Sequence, residues 1–225
     1  MAMDKPSPAI EDYLQVIYSL VGEGETVISA RLARRMRVTP PTAWAAVQRM
    51  ARDGLVELNP KKVIRLTPRG HQWAESIVRR HRLAERFLTD VLSLGWAESH
   101  EEAHRFEHGI SPSVEERIFA LLHDPTTCPH GSPIPGTGTV VGADLIPLSR
   151  LAAGDTAIVH FISEELEEDA ELLRYLERGQ VMPGRCLRLV EKAGGVVIVQ
   201  VDGTQVPLGL DVAAKIRVRP AAADA

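Results

Sequence analysis

The chain has 225 residues, 26 basic and 30 acidic, for a formal net charge of −4, and 44% of it is hydrophobic. That length suits one large domain or two smaller ones, and the composition is globular rather than low-complexity. With no long apolar run, no signal-peptide pattern and only Cys128 and Cys186, a membrane span, a secretory leader and a disulfide framework are not expected; a reducing cytoplasm is.

In chain order, Ser7-Pro8 can cap and open a helix, which Ile10, Tyr13, Leu14, Ile17 and Leu20 continue at helical spacing until Gly22 and Gly24. Ile28 to Met36 predicts a short helix. A second runs from near Pro41 to Arg52 and stops at Asp53-Gly54. Leu55–Leu58 and Val63–Leu66 flank Asn59-Pro60-Lys61-Lys62, which predicts a β-hairpin with a basic tip. Thr67-Pro68 opens a longer helix through His81 and Glu85 toward Leu94. Glu98 to His108 is another, and Ser111-Pro112 starts a third with Val114, Ile118, Leu121 and Leu122 as its apolar stripe. The breakers from Thr127 to Gly136 form a linker or ordered loop. Beyond them, Thr156–Phe161, Arg185–Glu191, Val196–Val201 and Ala214–Val218 predict short strands, with one helix over Glu171–Glu177. A small β-barrel of about 80 residues fits that pattern.

The average charge argues against a nucleic-acid partner, but its distribution does not. Residues 1–80 hold 13 basic and 8 acidic side chains, a local +5, and the remainder carries −9. Two short helices, a tight turn and a basic hairpin outline a winged helix-turn-helix, whose second helix enters the major groove. Thr39, Pro40, Pro41, Thr42 and Trp44 are then the residues nearest the bases, and Gln48 is a further candidate DNA contact. Arg31, Arg35, Arg37, Arg49, Arg52, Lys61, Lys62 and Arg65 supply phosphate-neutralising charge. Trp44 can face the groove or be partly covered by protein.

Six of the eight histidines lie between His81 and His130. His81 and Glu85 share one helix face, and His100, His104 and His108 line another, joined by Glu107. Imidazole with carboxylate suits Mn(II), Fe(II), Co(II), Ni(II) or Zn(II). The segment His100-Glu101-Glu102-Ala103-His104 also matches the zinc-metallohydrolase pattern, in which the glutamate activates water. That reading leaves the helix-turn-helix unexplained. Cys186 is expected in the core, and His123, His130 and His160 have no partner at ligand spacing.

Several stretches together resemble the diphtheria-toxin-repressor family of metal-dependent transcription regulators. They are Glu11-Asp12-Tyr13-Leu14 with Ile17-Tyr18, Thr42 through Val56, Leu66-Thr67-Pro68-Arg69-Gly70, His81-Arg82-Leu83-Ala84-Glu85-Arg86, Glu107-His108, and Pro129-His130-Gly131-Ser132-Pro133-Ile134-Pro135-Gly136. The resemblance covers about the first 136 residues and extends in outline to an SH3-like C-terminal domain. It implies a mainly α chain: a winged helix-turn-helix over 1–73, a helical dimerisation and metal-binding domain over 74–136, a linker over 137–150 and an SH3-like small β-barrel over 151–225. It implies a primary metal site of Asp12, His104, Glu107 and His108. An ancillary site would hold His81, Glu85 and His100, with an oxygen ligand from among Glu168, Asp169 and Glu171.

The family's iron-responsive branch has Met and Cys where this chain has Asp12 and His104. The manganese branch has Asp and Glu there, and Glu in place of Gln15. Mn(II) is therefore expected first and Fe(II) next, with Co(II) or Zn(II) tolerated. The implied function is a metal-activated, cytoplasmic DNA-binding repressor of metal homeostasis. It would act as a homodimer on a near-palindromic double-stranded operator, with no membrane and no small-molecule substrate. The apolar faces around Phe87–Leu94 and Val114–Leu122 would join the protomers. The alternatives are a zinc metallohydrolase and a metal-binding adaptor that does not touch DNA.

Overall fold

The computed structural model describes residues 5–221, which fall into two compact units, one ending at Arg80 and one starting at His81. The first holds α1 (Pro8–Gly22), α2 (Ser29–Arg35), α3 (Pro40–Arg52), a hairpin of β1 (Val56–Leu58) and β2 (Ile64–Leu66), and the first part of α4 (Pro68–Asp90). In α1 the residues at helical spacing, Ile10, Tyr13, Leu14, Ile17 and Leu20, are the buried ones. They pack with Leu32, Ala43, Val47, Met50, Val56 and Ile64 into one apolar cluster, and each large side chain fully buried there contributes about 1.5–3 kcal/mol. Thr39 caps α3 by accepting from the Thr42 N–H at 3.4 Å, so the helix starts at Pro40, one residue before the expected start. Gly54 ends it in the left-handed region, φ +68°. Gly70 permits a close approach at the start of α4, because a Cβ there would stand 1.9 Å from the Leu55 carbonyl oxygen.

The second unit contains the rest of α4, α5 (Trp96–Phe106), a 3-10 turn at Glu107–Gly109 and α6 (Pro112–Leu121). Six strands follow: β3 (Ile146–Pro147), β4 (Thr156–Ile162), β5 (Cys186–Ala193), β6 (Val196–Val201), β7 (Thr204–Gly209) and β8 (Ile216–Pro220). They pair antiparallel in the order β3-β8-β4-β5-β6-β7. Short helices α7 (Glu164–Glu167), α8 (Ala170–Arg178) and α9 (Leu210–Ala213) fill the connections. The sheet core includes Trp96 and Ala97 from the start of α5. A separate cluster of Leu83, Ala84, Leu88, Ala103, Ile110, Ile118 and Ile134 holds the helices together.

The elements depart from expectation at several ends. Helix α4 stops at Asp90, and Ser93 takes φ +59° before α5 begins. Helix α5 starts two residues early, at Trp96, and tightens into a 3-10 turn at Glu107. Strand β7, which carries Pro207, was not among the expected strands. It lies at the end of the sheet order, where a missing N–H is tolerated. Cys186 is exposed at the start of β5, opposite Ile158, and is not a core residue. The Thr127–Gly136 segment is an ordered loop: the Cys128 N–H donates to the Ser132 carbonyl at 2.9 Å and the Ile162 N–H to the His130 carbonyl at 2.9 Å. Gly131 makes that docking possible, since a Cβ there would lie 2.1 Å from the His160 carbonyl oxygen.

Candidate metal centre and DNA-binding surface

The second unit concentrates imidazoles and carboxylates in its interior. His81, Glu85, His100, Glu107, His130 and Glu167 are all buried, with His104 and His108 partly exposed. The i, i+4 spacing on α4 puts His81 Nε2 3.2 Å from Glu85 Oε1. The other face of the same ring meets the end of α5, with His81 Nδ1 2.5 Å from Glu107 Oε2. His104 Nδ1 and His108 Nε2 lie 3.7 and 3.6 Å from Glu107 Oε1. Glu107 thus gathers three imidazoles at one end of the cluster.

At the other end, Glu85 Oε1 lies 2.8 Å from His100 Nδ1 and 3.3 Å from His130 Nδ1. Glu167 Oε2 is 3.6 Å from each of those nitrogens. Within this end, Glu85, His100 and Glu167 form one group whose donor atoms lie within 4.8 Å of one another, and Glu85, Cys128 and His130 form another. His130 was not expected here, and neither was Cys128. Both arrive on the docked loop, which no helical spacing could reveal.

The C-terminal carboxylate also differs from expectation. Asp169 is committed to capping α8, accepting from the Glu171 and Leu172 N–H groups at 3.1 and 3.0 Å. The Glu171 side chain is 96% exposed, and Glu168 is only half-buried. Glu167, the last residue of α7, is the one turned into the cluster.

The electrostatics follow from burial and proximity. Burial opposes charge on His81, but the flanking Glu85 and Glu107 outweigh it and hold its pKa well above the usual imidazole value. Burial likewise disfavours the Glu107 carboxylate, yet His81 and His104 bring it down to about 2. Glu85 is held well below the ordinary range by His130 and His81 against its own burial. Burial raises Glu167 well above that range and raises the Cys128 thiol to about 12. His100 is lowered, chiefly by burial.

The donor set fits a divalent cation. Glu85 Oε2, His100 Nε2, His130 Nε2 and Glu167 Oε1 are buried without hydrogen-bond partners, a costly state that a cation would relieve. His100 and His104 approach different carboxylates, and Glu101 between them is exposed. That geometry does not place a water-activating glutamate at a two-histidine zinc. Asp12 is half-buried on α1, in the first unit.

On the first unit, α3 buries Ala43, Val47 and Met50 and exposes Pro40, Pro41, Thr42, Trp44, Gln48 and Arg49. Lys61 and Lys62 are exposed at the hairpin tip, and Arg37 follows α2 with φ +52°. Not every expected cation faces outward. The Arg35 side chain is 9% exposed and lies 3.4 Å from Glu23, while Arg31 pairs with Glu25 at 3.0 Å and Arg49 with Asp53 at 3.9 Å.

The comparisons with known proteins match this layout. The family description "Iron dependent repressor, N-terminal DNA binding domain" matches residues 6–64, and "Iron dependent repressor, metal binding and dimerisation domain" matches residues 67–136. A FeoA domain matches residues 146–220. The iron-dependent repressor IdeR of Mycobacterium tuberculosis is 39% identical over 203 residues, covering 86% of this chain and 88% of that protein. The chain belongs to the iron-dependent repressor family. The diphtheria toxin repressor of Corynebacterium diphtheriae is 34% identical over 217 residues, covering 92% of this chain and 95% of that protein. A solved manganese-dependent transcriptional repressor in complex with manganese superposes with a TM-score of 0.82 at 34% identity, covering 94% of this chain and 100% of that one. As a family member the chain is a metal-activated DNA-binding repressor, not an enzyme, with helical DNA-binding and dimerisation regions and an SH3-like C-terminal sheet domain. The family is iron or manganese dependent. Among the described residues, no helix is long and apolar enough to cross a membrane.

Proposed function

We propose that the chain is a manganese-activated repressor, with Fe(II) as its second choice of metal and Co(II) or Zn(II) tolerated, acting in the cytoplasm as a homodimer on a near-palindromic operator. The buried cluster of imidazoles and carboxylates in the second unit carries this reading. Two metal positions divide it. His104, Glu107 and His108 hold the primary one, and the family resemblance adds Asp12 from α1. Glu85, His100 and Glu167 hold the second, with His81 and His130 beside them and the Cys128 thiol in reserve for a softer ion. A bound divalent cation supplies positive charge between carboxylates that otherwise repel one another. Oxygen and nitrogen donors dominate both sets, which favours Mn(II) and Fe(II) over a thiolate-demanding metal. His81 orients the primary carboxylate by holding Glu107 Oε2 at 2.5 Å.

Fixing Asp12 to the 107–108 turn would set the first helix, and with it the spacing of two recognition helices in a dimer. The test is a gel shift with genomic fragments, titrated across Mn(II), anaerobic Fe(II), Co(II) and Zn(II). The expected result is retardation that requires metal and appears at the lowest concentration with Mn(II). Glu107→Ala or His108→Ala should abolish the metal response, and full retention of it in either variant would overturn the switch.

A further inference from the structure

We propose that the cleft between the recognition helix and the hairpin tip seats a deoxyribose-phosphate unit of duplex DNA, so that Trp44 contacts the DNA backbone and does not read bases. This rests on the reading of the chain as a DNA-binding repressor. The cleft has a volume of about 490 Å3 and is lined by Ile28, Ser29, Trp44, Lys61 and Lys62. Its walls are mixed in character. Ile28 and Trp44 are large apolar side chains left 38% and 37% exposed, while two ammonium groups and one hydroxyl stand beside them. None of the five is acidic.

The lysines are held by built structure and do not trail from a loose loop. Asn59 Oδ1 accepts from the Lys61 and Val63 N–H groups, both at 2.9 Å. The Asn59 N–H donates to the Val63 carbonyl at 3.1 Å, and the Lys62 N–H to the Asn59 carbonyl at 2.8 Å. Lys62 itself takes φ +56°. The Ile64 N–H donates to the Val27 carbonyl at 2.9 Å, which fixes the hairpin against the segment carrying Ile28. From this frame the Lys62 ammonium lies 5.6 Å from the centre of the Trp44 ring, a cation–π distance.

The chemistry of the walls selects the ligand. Bidentate hydrogen-bond readout of a base pair in the major groove needs paired donors and acceptors, and an indole with its single N–H donor is left with apolar contact, to a thymine methyl or to a sugar edge; the two lysines beside it favour the sugar-phosphate. An apolar sugar edge next to an anionic phosphate matches an aromatic face next to two lysines. The surplus of five basic residues in the first 80 complements a polyanion. On contact the Lys62 ammonium would leave the indole face for the phosphate, opening that face to the sugar.

The test uses the full chain with Mn(II) and two duplexes, one of random sequence and one recovered by selection from genomic fragments. Trp44→Ala should weaken both by the same factor, about five- to tenfold, with Trp44→Phe recovering most of the loss. Lys62→Ala should lower the slope of log affinity against log salt by about one, and Trp44→Ala should leave it unchanged. If Trp44→Ala alters the preference between the two duplexes, Trp44 reads bases and the proposal falls. It falls equally if wild type binds and neither substitution matters. If wild type binds neither duplex with any of the four metals, the repressor reading fails and this one with it.

Discussion

His81 shows at the scale of one residue how the metal centre couples to protons. Its two ring nitrogens face Glu107 and Glu85, which raise its pKa, and Glu167 is raised as well by burial. Both groups therefore hold protons in the metal-free protein at a pH where isolated ones would have lost them. A cation held by Glu85, His100 and Glu167 needs the ionised Glu167 carboxylate, and its charge disfavours the proton on neighbouring His81, so uptake expels protons. The sign follows: affinity falls as pH drops below the raised values and grows as pH rises through them. Calorimetric titration of Mn(II) in two buffers of different ionisation heat should show net proton release on loading of the second site, and a buffer-independent heat would contradict this. Glu167→Gln should remove most of that release and weaken the second ion by about ten- to a hundredfold, while Asp169→Asn should leave its affinity unchanged. Residues at helical spacing were legible in the sequence; His130, Cys128 and Glu167 were not. Their placement depends on a loop docked through Gly131 and on which turn of α7 faces inward, both long-range outcomes of packing.

Elements carry the next level of control, and α5 is the clearest case because it bears His100 and His104 and leads into Glu107. Its N-cap is Gly95, which offers no side chain, and the missing acceptor comes from the C-terminal part of the same unit. Glu177 Oε1 of α8 accepts from the Trp96 N–H at 3.2 Å. A carboxylate there also meets the positive end of the helix dipole. Glu177→Ala should cost about 1 kcal/mol in chemical denaturation, with Glu177→Gln losing less, since its amide oxygen still accepts. Gly70→Ala should be worse than either, by several kcal/mol on the scale of a strained core substitution, because the new methyl meets the Leu55 carbonyl. The helix starts at Ser7-Pro8 and Ser111-Pro112, the hairpin and most strands were legible from capping and periodicity. The 3-10 turn at Glu107 and strand β7 were not. One is a local tightening with no sequence mark, and the other is a proline-bearing strand whose edge position only the sheet order reveals.

For the whole molecule, the split of charge constrains how copies of the chain can meet. The part from His81 onward carries −9 and also presents exposed apolar side chains, among them Leu92, Phe106, Val114 and Leu121 at 52, 38, 40 and 56%. Like-charged surfaces repel, so a pair formed through this part must be held by apolar burial and opposed by electrostatics. Salt then acts in opposite directions on the two associations. Screening relieves the repulsion and leaves the dimer as strong or stronger, whereas the same salt releases the basic first unit from DNA. Sedimentation between about 50 and 400 mM KCl, roughly a third to three times physiological ionic strength, should show a dimer that does not dissociate, while duplex affinity falls steeply over that range. Leu121→Glu places a further charge in the apolar patch and should yield monomers at micromolar concentration. Those monomers should still bind Mn(II), since no proposed ligand is altered, yet lose operator affinity by about two orders of magnitude or more, because linking two half-site readers is what raises affinity without new contacts. Dimer loss with undiminished operator binding would mean that each protomer reads its site alone.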